Sequence, residues 1–271
     1  MTNTLEGKIA VITGGTQGLG EATARLFAER GAAGLVICGR NPEKGQNVAS
    51  DLSSLGVPTF FIRADLARVD DCLEVIAKTD EEFGKVHILV NAAGITDRGS
   101  LLNTSPELFE RILAVNLRAP FFLMQAAVRI MQREHISGTI VNVLSMSAHG
   151  GQSFLSAYST SKGAMATLTK NTAFSLLRDR IRINGLNIGW MDTPGEHHTQ
   201  KSDGAGPDWL SEAEIRQPFG RLLKTEEVAR AIAFLSGDES GMMTGAIIDF
   251  DQSVSGCYDS LPLPAAPGDL Q

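Results

Sequence analysis

Hydrophobic positions along the chain fall into two alternating kinds of segment. Seven short runs are rich in β-branched residues and nearly continuous in apolar character: "KIAVIT" (8–13), "GLVIC" (34–38), "PTFFIR" (58–63), "VHILV" (86–90), "GTIVNVL" (138–144), "IRINGLN" (181–187) and "AIIDF" (246–250). That is the pattern of parallel strands buried on both faces. Between them, helical patterns run near 19–30, 42–55, 68–83, 105–133, 157–178 and 225–236. Strand–helix alternation of this kind predicts an α/β fold, a doubly wound and mostly parallel seven-stranded sheet with helices on both faces. No sequence repeat divides it, so residues 1–271 are expected to form a single domain.

Two regions break the rhythm. Residues 191–217, "MDTPGEHHTQKSDGAGPDWLSEAEIRQ", are polar, contain Gly and Pro, and show no apolar periodicity. A long irregular insert in a compact domain is usually functional, and this one is expected to be a mobile substrate lid. The tail, 258–271, is Pro-rich and is expected to be extended rather than helical.

Composition narrows the classes. The chain is 43% hydrophobic and 20% charged, with a net charge of −7. A nucleic-acid partner would call for a basic stripe, and none is visible. No uncharged apolar run approaches the roughly 18 residues a membrane span needs. The N-terminal segment shows no charged region followed by an apolar stretch, so a signal peptide is not expected. Cys38, Cys72 and Cys257 are odd in number and far apart, the spacing of reduced thiols in a cytoplasmic protein.

Candidate chemistry begins at the end of the first strand. "VITGGTQGLGEATA" places Gly14, Gly18 and Gly20 between that strand and the first helix. Glycine permits a tight turn and close backbone approach, and the helix N-terminus offers N–H groups to a phosphate. The common dinucleotide fingerprint has two residues before its last glycine; here there is one. The placement still points to a nucleotide site. At the end of the second strand, "ICGRNPEKG" has no acid to hold a ribose 2′-hydroxyl; Gly39 and Arg40 stand there instead. Arginine accommodates a 2′-phosphate, so NADP(H) is expected over the alternative, NAD(H).

"AYSTSKGAMATLTKN" places Tyr158 and Lys162 four residues apart, on one helix face. Lowering a phenol from about 10 to about 7 takes roughly 4 kcal/mol. An ammonium about 4 Å away supplies about 1 kcal/mol in water and about 4 at an effective dielectric near 20. The pair therefore makes an acid/base only in a cleft sheltered from water.

"TGGTQGLG" (13–20), "NAAG" (91–94), Asn116 in "LAVNLRAP", Ser145 in "IVNVLSMSA" and "YSTSK" (158–162) together resemble the short-chain dehydrogenase/reductase family in order and spacing. "NIGWMDT" (187–193) and residues 220–245 extend the resemblance. It implies a Rossmann-like domain and hydride transfer between a nicotinamide and a carbinol or carbonyl carbon. By the same resemblance Tyr158 is the acid/base, Lys162 lowers its pKa and bonds the nicotinamide ribose, Ser145 bonds the substrate oxygen, and Asn116 holds a water in the proton path. The implied cofactor set is Gly14, Thr16, Gln17, Gly18, Leu19, Gly20, Arg40, Asp65, Leu66, Asn91, Ala92, Ala93, Gly94, Tyr158, Lys162, Gly189 and Thr193. The resemblance also implies a homo-oligomer, a tetramer packed through the helices near 105–133 and 157–178 and the last strand. The apolar "FFLMQAAV" (121–128) fits such packing. Two departures stand out. Ile188 replaces a usual proline, which is expected to loosen that segment, and "DQS" (251–253) replaces Asp-Gly-Gly.

Ligands of open α/β sheets bind at the carboxyl ends of the strands. The stretches there offer Thr96, Ser147, His149, Gln152, Trp190, Glu196 and His197. Their polarity suits a small hydroxylated substrate, a sugar or polyol; a 3-oxoacyl thioester is the alternative. A serine hydrolase built on Ser145, His149 and Asp192 lacks the G-x-S-x-G elbow. Adjacent His197 and His198 cannot both face one metal from a helix. A nonenzymatic NADP(H)-binding regulator is the remote alternative, against which the Ser145–Tyr158–Lys162 set argues.

Overall fold

Successive side chains of a strand point to opposite faces, and the core divides accordingly. Ala10, Ile12, Leu35 and Ile37 turn to one side of the sheet, where they meet Leu19, Phe27, Leu52, Val228 and Ile232. Val11, Val36 and Cys38 turn to the other, against Cys72, Ile76, Leu123, Met131 and Ile183. The computed structural model describes residues 4–150 and 152–257; the Pro-rich tail (258–271) lies outside the described residues.

The strands are β1 (Ile9–Thr13), β2 (Gly34–Gly39), β3 (Thr59–Arg63), β4 (Ile88–Asn91), β5 (Thr139–Val143), β6 (Arg182–Ile188) and β7 (Ile247–Phe250). They form one sheet in the order β3-β2-β1-β4-β5-β6-β7, with every pairing parallel. Helices α1 (Gly18–Glu29), α2 (Pro42–Ser54) and α9 (Thr225–Ser236) cover one face. Helices α3 (Val69–Phe83), α5 (Ala119–Arg133) and α6 (Ser156–Ser175) cover the other. The strand order reverses between β1 and β4, which opens a crevice at their carboxyl ends.

The helical stretch near 105–133 is interrupted. Helix α4 (Pro106–Leu113) passes through a π turn, Ala114–Arg118, into α5. The wider turn holds Asn116, whose amide leaves the helix to bond the strand-end loop: Oδ1 accepts from Ile95 N at 2.9 Å and Nδ2 donates to Ile95 O at 2.9 Å. Single π turns of this kind gather at functional sites.

The insert at 191–217 is not irregular. It holds two helices, α7 (Pro194–Ser202) and α8 (Trp209–Ile215). Helix α7 begins on Thr193, whose hydroxyl caps Glu196 N at 3.0 Å, with Pro194 at the first helical position. Its burial comes from aromatic packing rather than an apolar stripe, so hydrophobic periodicity missed it. The Trp209 ring lies 6.2 Å from Trp190 and 4.8 Å from His197. Ile188 does not loosen its segment: it is the last rung of β6 and pairs with Phe250. At "DQS", Gln252 accepts from Phe219 N at 2.8 Å and donates to Arg221 O at 2.8 Å, which clamps the turn. Cys38 and Cys72 are buried, and burial pushes their thiols up to about 12 and about 11, where thiolate chemistry is suppressed.

Arg182 ties the far edge of the sheet together. Its guanidinium donates to Leu235 O, Gly237 O and Met243 O and to Ser240 Oγ at 2.7–3.3 Å, closing the C-terminus of α9 over β6. A cation there satisfies orphan carbonyls and the helix dipole. Arg182→Ala is expected to cost about 2–4 kcal/mol, since several charge-assisted bonds go at once; urea unfolding measures it, and a loss below about 1 kcal/mol would show the clamp to be idle.

Candidate active site

The crevice between the strand ends is one cleft of about 2410 Å³. Its floor on the nucleotide side is the turn from β1 into α1. Gly14 and Gly18 sit at φ 69° and 58°, in the left-handed region. A Cβ on Gly20 would stand 2.3 Å from Gly14 O, so that position is glycine by contact with backbone. Gln17 at the N-cap of α1 makes no side-chain capping bond. The first-turn N–H groups of α1 therefore face the cleft without a side-chain partner, as an anion site requires. Thr13, not singled out in the sequence, joins this turn to the next loop: its Oγ1 accepts from Ala92 N at 3.1 Å and Ala93 N at 3.0 Å.

Beyond the glycines, Arg40 follows β2, and Asp65 and Leu66 follow β3; all three border the cleft. Lys44 borders it too, donating to Gln17 Oε1 at 2.8 Å. Only its spacing signals it: Asn41 caps α2, and Lys44 lies in the first turn that follows. A Cβ on Gly39 would stand 2.8 Å from the Thr16 methyl, so glycine there lets β2 and the turn touch. Arg40 and Lys44 give this end two cations; the ring of glycines and open amides fits a dinucleotide's phosphates.

Ser145, Tyr158 and Lys162 meet at the centre. Ser145 caps a short 3-10 turn, Met146–His149, its Oγ accepting from Ser147 N at 3.1 Å. That leaves its hydroxyl proton to donate. Tyr158 and Lys162 occupy the cleft-facing side of α6, 9% and 5% exposed. Lys162 Nζ donates to Val143 O at 2.8 Å and lies 5.8 Å from the Tyr158 ring centroid. Burial pushes the ammonium down to about 8. Burial also raises the phenol; a hydrogen bond with Ser145 pulls it back, and the charge of Glu196 raises it further. In the free protein the phenol thus keeps its proton through neutral pH. Lys162 donates a hydrogen bond to Val143 O, and burial is the largest influence on the phenol.

The other expected residues divide cleanly. Thr16, Ala92, Ala93, Gly94, Thr96, Ser147, Gln152, Gly189, Trp190 and Thr193 border the cleft. Ser147 Oγ donates to Gln152 Oε1. His149 borders it as well, held to Asp249 at 3.0 Å. Asn91 and Asn116 do not border it. Asn91 Nδ2 donates to Asn142 Oδ1 at 2.8 Å inside the sheet layer, and Asn116 Nδ2 adds a bond to Ser161 Oγ at 3.1 Å. His197 turns away to Asp192 Oδ1 at 2.8 Å, and His198 takes its place on the cleft. Arg98, missed in the sequence, borders the substrate end and pairs with Asp203 of the insert at 2.8 Å. Helix α7 lines this end as well, through Glu196, His198, Thr199 and Gln200.

A family model described as enoyl-(acyl carrier protein) reductase matches residues 14–255. An uncharacterized oxidoreductase of Thermotoga maritima is 38% identical, over 91% of this chain and 96% of its own length. The cis-4-hydroxycyclohexanecarboxylate dehydrogenase of Sinomonas cyclohexanicum is 36% identical, over 90% and 95%. An NADP-dependent (R)-specific alcohol dehydrogenase of Lentilactobacillus kefiri is 32% identical, over 91% and 96%. Among solved structures, a short-chain type dehydrogenase/reductase from Mycobacterium marinum superposes with a TM-score of 0.84 at 31% identity, covering 92% of this chain and 96% of that one.

Holding Lys162 charged is costly. Moving an ammonium from 10.5 to about 8 corresponds to about 3 kcal/mol of lost charged-state stability, at 1.36 per pH unit. The folded pKa lies below the unfolded one, so the unfolded chain binds more protons between about 8 and 10.5, and stability rises with pH through that window. Lys162→Met, which gives up one bond to a carbonyl, is expected to be more stable than wild type by about 1–2 kcal/mol at pH 7. The gap should close as pH rises past about 8. Urea unfolding at several pH values measures this; a variant weaker than wild type at pH 7 overturns it.

Proposed function

Because the chain belongs to the short-chain dehydrogenase/reductase family, we propose that it is an NADP(H)-dependent oxidoreductase that interconverts a small polar secondary alcohol, a sugar or polyol, with its carbonyl form. The observation that carries the reading is the convergence of Ser145, Tyr158 and Lys162 in one sheltered cleft beside a glycine-rich turn. Bound nicotinamide supplies or accepts the hydride at the substrate carbon. Tyr158 carries the matching proton to or from the substrate oxygen, and Ser145 donates a hydrogen bond that holds that oxygen in place. Lys162 supplies positive charge beside the phenol, which steadies a phenolate as the proton leaves. Since burial keeps the phenol protonated in the free protein, the resting state is the acid that carbonyl reduction needs. Asn116 serves here as a positioning residue, fixing the loop at Ile95 against α6. Helix α7, lining the cleft, is the cover that keeps water from the phenol.

Arg40 and Lys44 support the choice of NADP(H), because their charges suit a 2′-phosphate; the NADP-dependent relative is in keeping with it. A 3-oxoacyl thioester is the second reading, favoured by the description of the matching family model. A panel of sugars, polyols, hydroxy acids and oxoacyl thioesters, each with both cofactors, separates the two.

Wild type is expected to bind NADPH more tightly than NADH. Arg40→Ala should weaken NADPH by about 10–100-fold, the worth of one charge-assisted contact, and leave NADH nearly unchanged. Tyr158→Phe should retain NADPH binding and lose turnover. Fluorescence titration and initial rates read these; tighter NADH binding by wild type, or an active Phe variant, refutes the assignment.

We also place a second copy of the chain on the face of α5 and α6. Phe121, Phe174 and Leu177 are 44%, 79% and 51% exposed there, flanking an apolar groove that includes Met124, Leu168 and Leu176. An apolar patch of that kind usually marks an interface. Light scattering is expected to show a homo-oligomer, a tetramer if β7 forms the other contact, and Phe174→Glu should dissociate the α5–α6 pairing. A monomer at micromolar concentration refutes it.

A further inference from the structure

Thr193-Pro194-Gly195-Glu196 has the S/T-x-x-E spacing of a capping box. In that motif the hydroxyl accepts from the N–H three residues on, and the carboxylate reaches back to the N-cap N–H. Only the first half forms at α7: Thr193 Oγ1 accepts from Glu196 N at 3.0 Å. The carboxylate is drawn elsewhere. Its Oε1 accepts from Trp190 Nε1 at 2.8 Å and from Gln200 Nε2 at 2.7 Å. At α9 the same reach-back bond is made, with Glu227 Oε2 accepting from Lys224 N at 3.0 Å. The departure at α7 is therefore a property of the site and not of this chain's helix starts.

Two side chains thus hold Glu196 on the wall of the cleft, half-buried. It stands near enough to Tyr158 for its charge to act on the phenol. Among the described residues no Lys, Arg or His forms an ion pair with it, and no donor reaches Oε2. A carboxylate accepts at about four positions, and two are taken. Partly desolvated and unpaired, it is stabilised by any donor a ligand brings.

We propose that Glu196 is the substrate-recognition carboxylate of this cleft: Oε2 accepts a hydrogen bond from a hydroxyl neighbouring the carbonyl that faces Tyr158, so the preferred substrates are α-hydroxy ketones and aldehydes and the matching vicinal diols. This rests on the oxidoreductase reading above and narrows its substrate class. A ketone lacking the hydroxyl leaves Oε2 unpaired as water is excluded, and a 2-oxo acid brings a second negative charge to it. Both are selected against. Trp190 and Gln200 are positioning residues, since they hold Oε1 and leave Oε2 to the ligand.

The test uses the full chain and Glu196→Gln, which keeps the length of the side chain and an oxygen for Trp190. Initial rates with NADPH are measured on a short α-hydroxy ketone, the same ketone without the hydroxyl, and the 2-oxo acid of equal length. Loss of a charge-assisted bond shifts the hydroxy-to-deoxy ratio of kcat/KM by about 10–100-fold, and the oxo acid should gain relative to both. In parallel, the Tyr158 phenol is titrated by ultraviolet difference spectroscopy against Tyr158→Phe. Removing the neighbouring negative charge should lower the midpoint. A hydroxy-to-deoxy ratio unmoved by the substitution, or an unmoved midpoint, overturns the proposal. If wild type reduces none of the three ketones, the reductase reading fails on its own account. Calorimetric binding of the α-hydroxy ketone to the NADP⁺-loaded proteins then decides: equal affinity for wild type and Glu196→Gln overturns the proposal, and tenfold weaker binding by the variant supports it.

Discussion

The buried ammonium of Lys162 is the constraint around which the site is arranged. It is 5% exposed and holds one carbonyl, Val143 O, at the last residue of β5. Reaching that carbonyl requires α6 to lie at a fixed height above the sheet, and polar contacts set the height. Asn91 donates to Asn142, and Asn142 donates to Thr169 of α6 at 2.9 Å. Asn116 donates to Ser161, which donates back to Tyr158 O at 2.6 Å. Apolar packing alone tolerates sliding, whereas directional buried hydrogen bonds favour one register, here with Asn91 Oδ1 left without a partner among the described residues. Two asparagines that do not border the cleft thereby fix the helix that carries the phenol.

The order and type of the elements were legible because the five inner strands are buried on both faces, with only the edge strands β3 and β7 partly exposed. A strand of that kind is a continuous apolar run, and Gly14, Gly18 and Gly20 punctuate the first one unmistakably. Ser145, Tyr158 and Lys162 were legible as a spaced set, and the fold brings them together. What periodicity missed was helix in the insert. Helix α7 buries no residue fully, so it has no apolar stripe to read. Its helical signal lay in Thr193 and Pro194, two residues of cap chemistry inside a stretch whose Gly and charge read as loop. The break in the 105–133 helix was hidden for the opposite reason, because the π turn leaves apolar spacing nearly unchanged on either side. Roles were less legible than positions. Bonds to Ile95 and Ser161 occupy the Asn116 amide, and Asn142 takes Asn91 Nδ2, while Asn91 Oδ1 is buried with no partner among the described residues.

The phenol shows how little a sequence spacing says about sign. Tyr158 and Lys162 lie on one helix face, which suggests a cation lowering an acid. Desolvation acts on both groups and favours the neutral form of each. With Lys162 donating to Val143 O and its ammonium 5.8 Å from the ring, burial sets the direction for both groups in the free protein, raising the phenol and lowering the ammonium. The charge balance at the pair is therefore open to whatever else enters the cleft. A neighbour's positive charge would lower the phenol; Glu196 acts the other way.

Two of the helix starts that border the cleft leave hydrogen-bonding groups open there. Helix α1 begins without a side-chain cap, although Gln17 stands at the cap position. Helix α7 begins with half a capping box, although the residues for the other half are present. A folding sequence satisfies helix ends wherever it can, since each cap contributes about 1 kcal/mol. Leaving donors open at one end of the cleft and an acceptor open at the other sacrifices that stability in complementary ways. The open amides of α1 call for an anion, and the open Oε2 of Glu196 calls for a hydroxyl. Open groups of this kind are ones a ligand can complete. Here they divide one cleft into a phosphate-binding end and a donor-seeking end, with the Tyr158 phenol between them.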